Sequence, residues 1–134
     1  MEDRIARVAA CVWSLLVCKL EGCGGQYSLP EWTSGIRGYI SERLENLDRA
    51  AIGYTVFTHL LWDSVKYAVH RLYGPRGCSL LAVTVRSTAG VGVLTTHLYS
   101  LVDKGAALAG SRIDYARPAA TARAILASCP ARKP

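Results

Sequence analysis

Apolar residues recur at Ile5, Val8, Val12, Leu15 and Leu16, and this spacing predicts an amphipathic helix from Asp3 to Leu20. Gly22, Gly24 and Gly25 follow and close it. A second stripe, Trp32, Ile36, Ile40 and Leu44, keeps i, i+4 spacing behind Ser28-Leu-Pro-Glu31. That tetrapeptide has the form of a capping box, with Pro30 in the first turn, where its missing N–H costs nothing. Asn46 or Asp48 can cap the helix that comes next. Ala50 to Trp62 then contains no carboxylate, lysine or arginine, and between Arg49 and Leu72 apolar side chains fall on nearly every face. The pattern predicts a helix buried in the middle of the domain, about 36 Å long at a rise of about 1.5 Å per residue. Tyr73-Gly-Pro-Arg-Gly77 ends it, and Phe57 and Trp62 read as core residues.

Beyond that break the local rules conflict. Leu81 to Arg86 alternates apolar and polar residues and is rich in Val and Thr, a strand signal, with Gly90 and Gly92 as breakers. Leu94, His97, Leu98, Leu101 and Val102 keep helical spacing, and Asp103-Lys-Gly105 reads as the end of that element. Pro118 to Ser128 is an Ala-rich helix with its own proline start, stopped by Pro130. The expected fold is all-α, a compact helical bundle packed around one buried central helix; the alternative is α+β with strands near 80–93. Residues 1–110 form the helical domain and 111–134 a short helix with a basic tail.

Composition narrows the function classes. With 134 residues, 51% of them hydrophobic, the chain can build one core but not two comfortable domains. A membrane span needs about 20 apolar residues, and no run here reaches that length, so no membrane anchor is expected; Glu2, Asp3, Arg4 and Arg7 carry both signs and no small-residue cleavage site follows a clean apolar block, so no secretory leader is expected either. The net charge of +6 is concentrated towards the C-terminus, where Lys104, Arg112, Arg117, Arg123, Arg132 and Lys133 face Asp114 alone. These charges are spread out, as in a solvated tail, rather than gathered with aromatics on one face, and nucleic-acid binding is therefore the lesser reading. Cys11, Cys18, Cys23, Cys78 and Cys129 are odd in number and hold no CxxC pair. They are expected to be buried small hydrophobes rather than a disulfide framework or a zinc site. His59 and His70 are eleven apart, not the i, i+4 of a helical ligand pair. No catalytic signature is present, and neither enzyme activity, metal, cofactor nor small-molecule substrate is expected.

Asn46-Leu-Asp-Arg49, followed by Ala50-Ala-Ile-Gly-Tyr-Thr-Val-Phe57, resembles the first homology motif of the Bcl-2 family of apoptosis regulators. Its core is Asn-Trp-Gly-Arg at the start of a long buried central helix; the Asn and Arg match, while Leu47 and Asp48 stand at the Trp and Gly positions. The small adenoviral members also lack the Trp-Gly. His97 to Gly105 is similar to the second homology motif, and Lys19-Leu20 with the glycines after it to the end of the family's first helix. The resemblance covers about residues 4–108 and implies a divergent, anchorless viral inhibitor in the host cytoplasm, meeting mitochondria through its partners. It further implies an apolar groove that takes the amphipathic death-motif helix of the host's pro-apoptotic Bcl-2 proteins. The groove would be lined by Ile36, Ile40, Leu44, Asn46, Asp48, Arg49, Ala50, Ile52, Gly53 and Val56, with Arg49 pairing the aspartate of the incoming helix. Asp48 beside the groove would narrow the set of partners, and a homodimer is compatible with such a fold.

Overall fold

The computed structural model describes residues 2–24, 29–85 and 91–129. Five helices follow one another: α1 (Glu2–Glu21), α2 (Thr33–Glu45), α3 (Tyr54–Val85), α4 (Val91–Leu108) and α5 (Pro118–Ala127), with a single 3-10 turn, Arg49–Ala51, ahead of α3. No strand occurs among the described residues, and the fold is all-α. The α+β alternative is overturned for residues 80–85 and 91–93, which are helical; 86–90 lie outside the described residues.

The central helix is α1, not the segment from Arg49 to Leu72. Every residue from Ile5 to Val17 except Arg7 is buried, and α2, α3, α4 and α5 all pack on it. Small residues make this possible: Ala6, Ala9, Ala10 and Ser14 let neighbours approach from several sides, and Ser14 satisfies its buried hydroxyl by donating to the Ala10 carbonyl at 2.8 Å. By contrast α3 is one-sided. Leu60, Leu61, Val65, Ala68 and Val69 are buried, while His59, Asp63, Lys66 and His70 form an exposed stripe. Phe57 and Trp62 are only half-buried, which corrects their assignment to the core.

The break at Tyr73–Gly77 is real and sharp. Gly74 has φ 67° and ψ −161°, outside the helical region, and Pro75 follows it. Cys78 Sγ then lies 3.6 Å from His70 Nδ1 and 4.0 Å from the Lys66 carbonyl. In a straight helix residues 66 and 78 would be about 18 Å apart, so the chain folds back on itself here.

Two helix ends carry glycine caps. Gly22 (φ 70°) closes α1 with its N–H on the Cys18 carbonyl at 3.0 Å. Gly110 (φ 75°) closes α4, with Ser111 N on Ala106 O at 2.8 Å and Gly110 N on Ala107 O at 3.0 Å, a Schellman pair. Gly105 therefore does not end α4; it lies inside it, buried, where a Cβ would collide with the backbone carbonyl of Ala6 and with Ala10 Cβ. At the start of α2 the helix begins at Thr33, three residues later than Pro30, with Thr33 Oγ1 donating to the Pro30 carbonyl at 2.7 Å. Ser28 of the expected capping box lies outside the described residues. Between α2 and α3 the Tyr39 and Tyr67 rings stack at 4.2 Å, with the Arg43 guanidinium 4.0 Å over Tyr39 and the Arg71 guanidinium 5.6 Å from Tyr67.

Four cysteines are bridged, against the expectation of free thiols. Cys11 pairs with Cys129 and Cys18 with Cys23, leaving Cys78 free. The first bridge joins the middle of α1 to the second residue beyond α5. That helix is thereby part of the core, with Ala122, Ile125 and Leu126 buried against α1, and residues 118–129 are not the solvated end expected of a basic tail. Residues 130–134 lie outside the described residues.

Replacing Gly105 with Ala should lower stability by about 1–3 kcal/mol, because a rigid carbonyl cannot yield to the added methyl. Gly38→Ala, in α2 with nothing within 4 Å of its would-be Cβ, should raise it by about 0.4–1 kcal/mol. Urea denaturation of the two variants decides the point, and equal shifts would show that the α1–α4 approach is not limiting. Removing the long-range bridge with Cys129→Ala should destabilise the chain by about 2–5 kcal/mol. Reducing the wild type should bring its melting temperature down towards that of the variant; a variant that melts with the oxidised wild type would assign the bridge no share in stability.

Candidate functional site

The first turns of α3 do not bury themselves, and a groove results. Val17, Leu20 and Glu21 near the end of α1 face Ile52, Gly53, Tyr54 and Phe57 across a concavity of about 270 Å³, with Arg49 at its end. A second concavity of about 540 Å³ continues from it, sharing Val17, Glu21, Tyr54 and Phe57 and adding Trp13, Tyr99, Asp103, Tyr115 and Pro118. The floor is thus α1, and the walls are the start of α3, the middle of α4 and the loop before α5. Its apolar content is mostly aromatic. Tyr54 and Tyr99 stack at 5.9 Å, Tyr99 meets Tyr115 edge-on at 5.9 Å, and Tyr115 meets Trp13 edge-on at 6.2 Å. Tyr54 is 67% exposed and Tyr115 51%, so their rings offer apolar area that a partner can remove from water.

The polar groups are sparse and placed at intervals. Tyr115 donates its phenol to Asp103 Oδ1 at 2.7 Å, which restrains the ring. Burial, the bond to Asp103 and the nearby negative charge push the Tyr115 phenol far above its ordinary range. Burial also raises Tyr99, partly offset by its contact with Thr58 Oγ1 at 3.5 Å. At the other end Arg49 Nη2 donates to the Lys19 carbonyl at 3.4 Å, near the C-terminus of α1, and has no carboxylate within 4 Å among the described residues. Arg49 is exposed and belongs to the 3-10 turn, which Asp48 caps by accepting from Ala50 N at 3.0 Å. It therefore precedes α3 rather than occupying the first turn of a buried helix.

The residues expected to form the site are divided. Arg49, Ile52 and Gly53 line the groove. Asn46, Asp48 and Ala50 are exposed, and Val56 is half-buried. Ile36, Ile40 and Leu44 are 1%, 2% and 8% exposed and face the core, so a partner helix cannot lie on them. The residues that sequence reasoning missed, chiefly Trp13, Val17, Phe57, Tyr99 and Tyr115, come from four separate segments. No spacing signal groups them, since Phe57 is in the first turn of α3, Tyr99 in the middle of α4 and Tyr115 in the loop before α5.

Among the described residues no group of three His, Cys, Asp or Glu side chains could hold a metal ion, and no helix is long and apolar enough to cross a membrane. No protein-family model, curated protein or solved structure matches the chain.

The Tyr115–Asp103 pair makes stability depend on pH at the alkaline end. A phenol whose pKa is raised by folding keeps its proton after the unfolded chain has lost its own, so its contribution is complete below about pH 10 and declines as pH rises above that. Denaturation midpoints should therefore fall above about pH 10, less steeply in Tyr115→Phe; parallel slopes in the two proteins would show that the phenol is not held by the fold.

Proposed function

We propose that this protein is a non-enzymatic binding module that takes an amphipathic helix of a partner protein into the aromatic groove between α1, α3 and α4. The observation that carries the reading is the groove itself, two adjoining concavities lined largely by aromatic side chains and bordered by Arg49, which has no carboxylate within 4 Å among the described residues. Helices are recognised in such channels by apolar side chains spaced i, i+3/i+4 and i+7, with charged pairs setting the register. Tyr54, Phe57, Tyr99 and Tyr115 supply the aromatic surface on which such anchors rest, with the buried Trp13 behind them. Arg49 meets a carboxylate at one end of the helix, while Asp103 and Glu21 favour a cation further along.

The likeness of Asn46 to Arg49 to the first Bcl-2 homology motif supplies the partner class: the death-motif helix of the host's pro-apoptotic proteins, sequestered by a viral inhibitor acting in the host cytoplasm. In that compartment thiols are kept reduced. There α5 would be held by Ala122, Ile125 and Leu126 rather than by the bridge from Cys129, and the groove wall at Pro118 with it.

Exposure sets the size of each effect. Since Arg49 is open to solvent, its pairing contributes about 0.2–1 kcal/mol, and Arg49→Ala should weaken peptide binding by less than about fivefold. Phe57 lies where the two concavities meet, and Phe57→Ala should lose at least about 2 kcal/mol, some 30-fold. Anisotropy of labelled pro-apoptotic helix peptides measures both, with circular dichroism confirming that each variant stays helical. Absence of binding by any peptide, or wild-type affinity in a folded Phe57→Ala protein, overturns the proposal.

A further inference from the structure

The larger of the two concavities, about 540 Å³, has a lining that selects by charge as well as by shape. Its size falls in the range of small-molecule sites, roughly 300–1,000 Å³. Three tyrosine rings form it. Tyr54 and Tyr99 are nearly parallel, 12° apart in plane, and Tyr115 stands across Tyr99 at 66°, so the rings make a corner rather than a flat stack. Their surface is available: Tyr54 and Tyr115 are more than half exposed, and Tyr99 and Phe57 are partly so. The charged side chains of the lining, Glu21 and Asp103, are both acidic and exposed, and neither has a Lys, Arg or His partner within 4 Å among the described residues. Electron-rich ring faces beside unpaired carboxylates select a cation. Hydrogen bonding then selects its type. A primary ammonium leaving water needs an acceptor for each N–H, but Asp103 Oδ1 already accepts from Tyr115 and ring faces replace acceptors poorly. An ammonium whose hydrogens are all replaced by alkyl groups needs no acceptor, and its alkyl groups rest on the rings.

We propose that this corner is a binding site for a small soluble molecule bearing a quaternary ammonium group, its N-alkyl groups against Tyr54, Tyr99 and Tyr115 and its charge opposite Glu21 and Asp103. A cation within about 6 Å of a ring centroid is attracted by the ring quadrupole, and at a corner two rings act on one charge. By donating to Asp103, the Tyr115 phenol moves negative charge onto its own ring and strengthens that attraction. The two carboxylates also repel a phosphate next to the ammonium, which disfavours a zwitterionic lipid headgroup. The inference does not rest on helix binding: it is carried by the charge of the lining and the exposure of the rings, and it is tested with no peptide present.

Calorimetry with choline on the full oxidised chain tests this. One saturable site per chain is expected, with at least about tenfold weaker binding of the uncharged carbon isostere, in which a tert-butyl group replaces the trimethylammonium. Phosphocholine should bind more weakly than choline. Tyr54→Leu, an exposed substitution that keeps apolar area but removes the ring, should weaken choline about twofold to fivefold, and Tyr54→Phe should restore it. Glu21→Gln should weaken choline and leave the uncharged isostere unchanged. The N-methyl resonance of choline should move upfield on binding, as ring currents require of methyl groups over aromatic faces. Unsaturable binding, equal affinity for choline and its isostere, or tighter binding of phosphocholine or of phosphatidylcholine vesicles overturns the proposal. So does wild-type choline affinity in a Tyr54→Leu protein whose circular dichroism is unchanged.

Discussion

The close crossing of α1 and α4 at Ala6 and Gly105 fixes how deeply α4 sits on the central helix. A glycine there lets one helix backbone rest against a carbonyl of the other, and close packing converts that proximity into buried area along Val8, Val12, Leu98 and Val102. Tyr99 and Asp103 lie on the same helix, six and two residues before Gly105. Their height above Trp13 and Val17 is consequently set by the crossing, and so is the width of the groove between them. Lys104 adds an electrostatic tie at the same end, 3.1 Å from both Glu2 and Asp3, but these are exposed pairs and contribute little by comparison.

Local signals identified much of the fold. The stripe from Ile5 to Leu16, the stripe from Ile36 to Leu44, the break at Gly74-Pro75 and the proline start of α5 are all written in single elements, and the helices appear where those signals stand. What failed was the ranking of helices by burial. An absence of formal charge between Ala50 and Trp62 suggested a helix buried on all sides, yet His59, Asp63, Lys66 and His70, spaced four, three and four apart, already gave α3 a polar face. In α1 the decisive residues were alanines, whose hydrophobicity is modest and whose importance is steric. Gly105 has the same lesson: in sequence a glycine after Asp-Lys looks like a terminator, and only the approach of a second backbone shows otherwise. The strand signal at Leu81 to Arg86 yielded to tertiary context over residues 81–85, as β-propensity often does.

The site was less legible because it is assembled across distance. Arg49 could be singled out from its motif, and it does stand at the groove, but its neighbours there, Leu20 and Glu21, are about thirty residues earlier, and the aromatic chain from Tyr54 to Trp13 runs through Tyr99 and Tyr115. No spacing rule connects those positions. Ile36, Ile40 and Leu44 illustrate the converse error: an apolar stripe can face a groove or a core, and periodicity alone does not say which. The cysteines were misjudged for a related reason, since Cys11 and Cys129 are separated by 118 positions and meet only after α5 has docked.

That bridge also changes what a break in the chain means. The backbone between Cys11 and Cys129 is a covalent ring that contains four of the five helices and most of the fifth. A single peptide-bond cleavage inside it, in the turn at Gly74 or the loop before Pro118, opens the ring without separating its parts: the molecule keeps its mass apart from one added water, and the two new ends remain tethered through sulfur. Oxidised, the protein can be cut and still be one object. Reduced, the same cut leaves two pieces joined by packing alone, so the state of one pair of sulfur atoms determines whether proteolysis edits one covalent molecule or makes two.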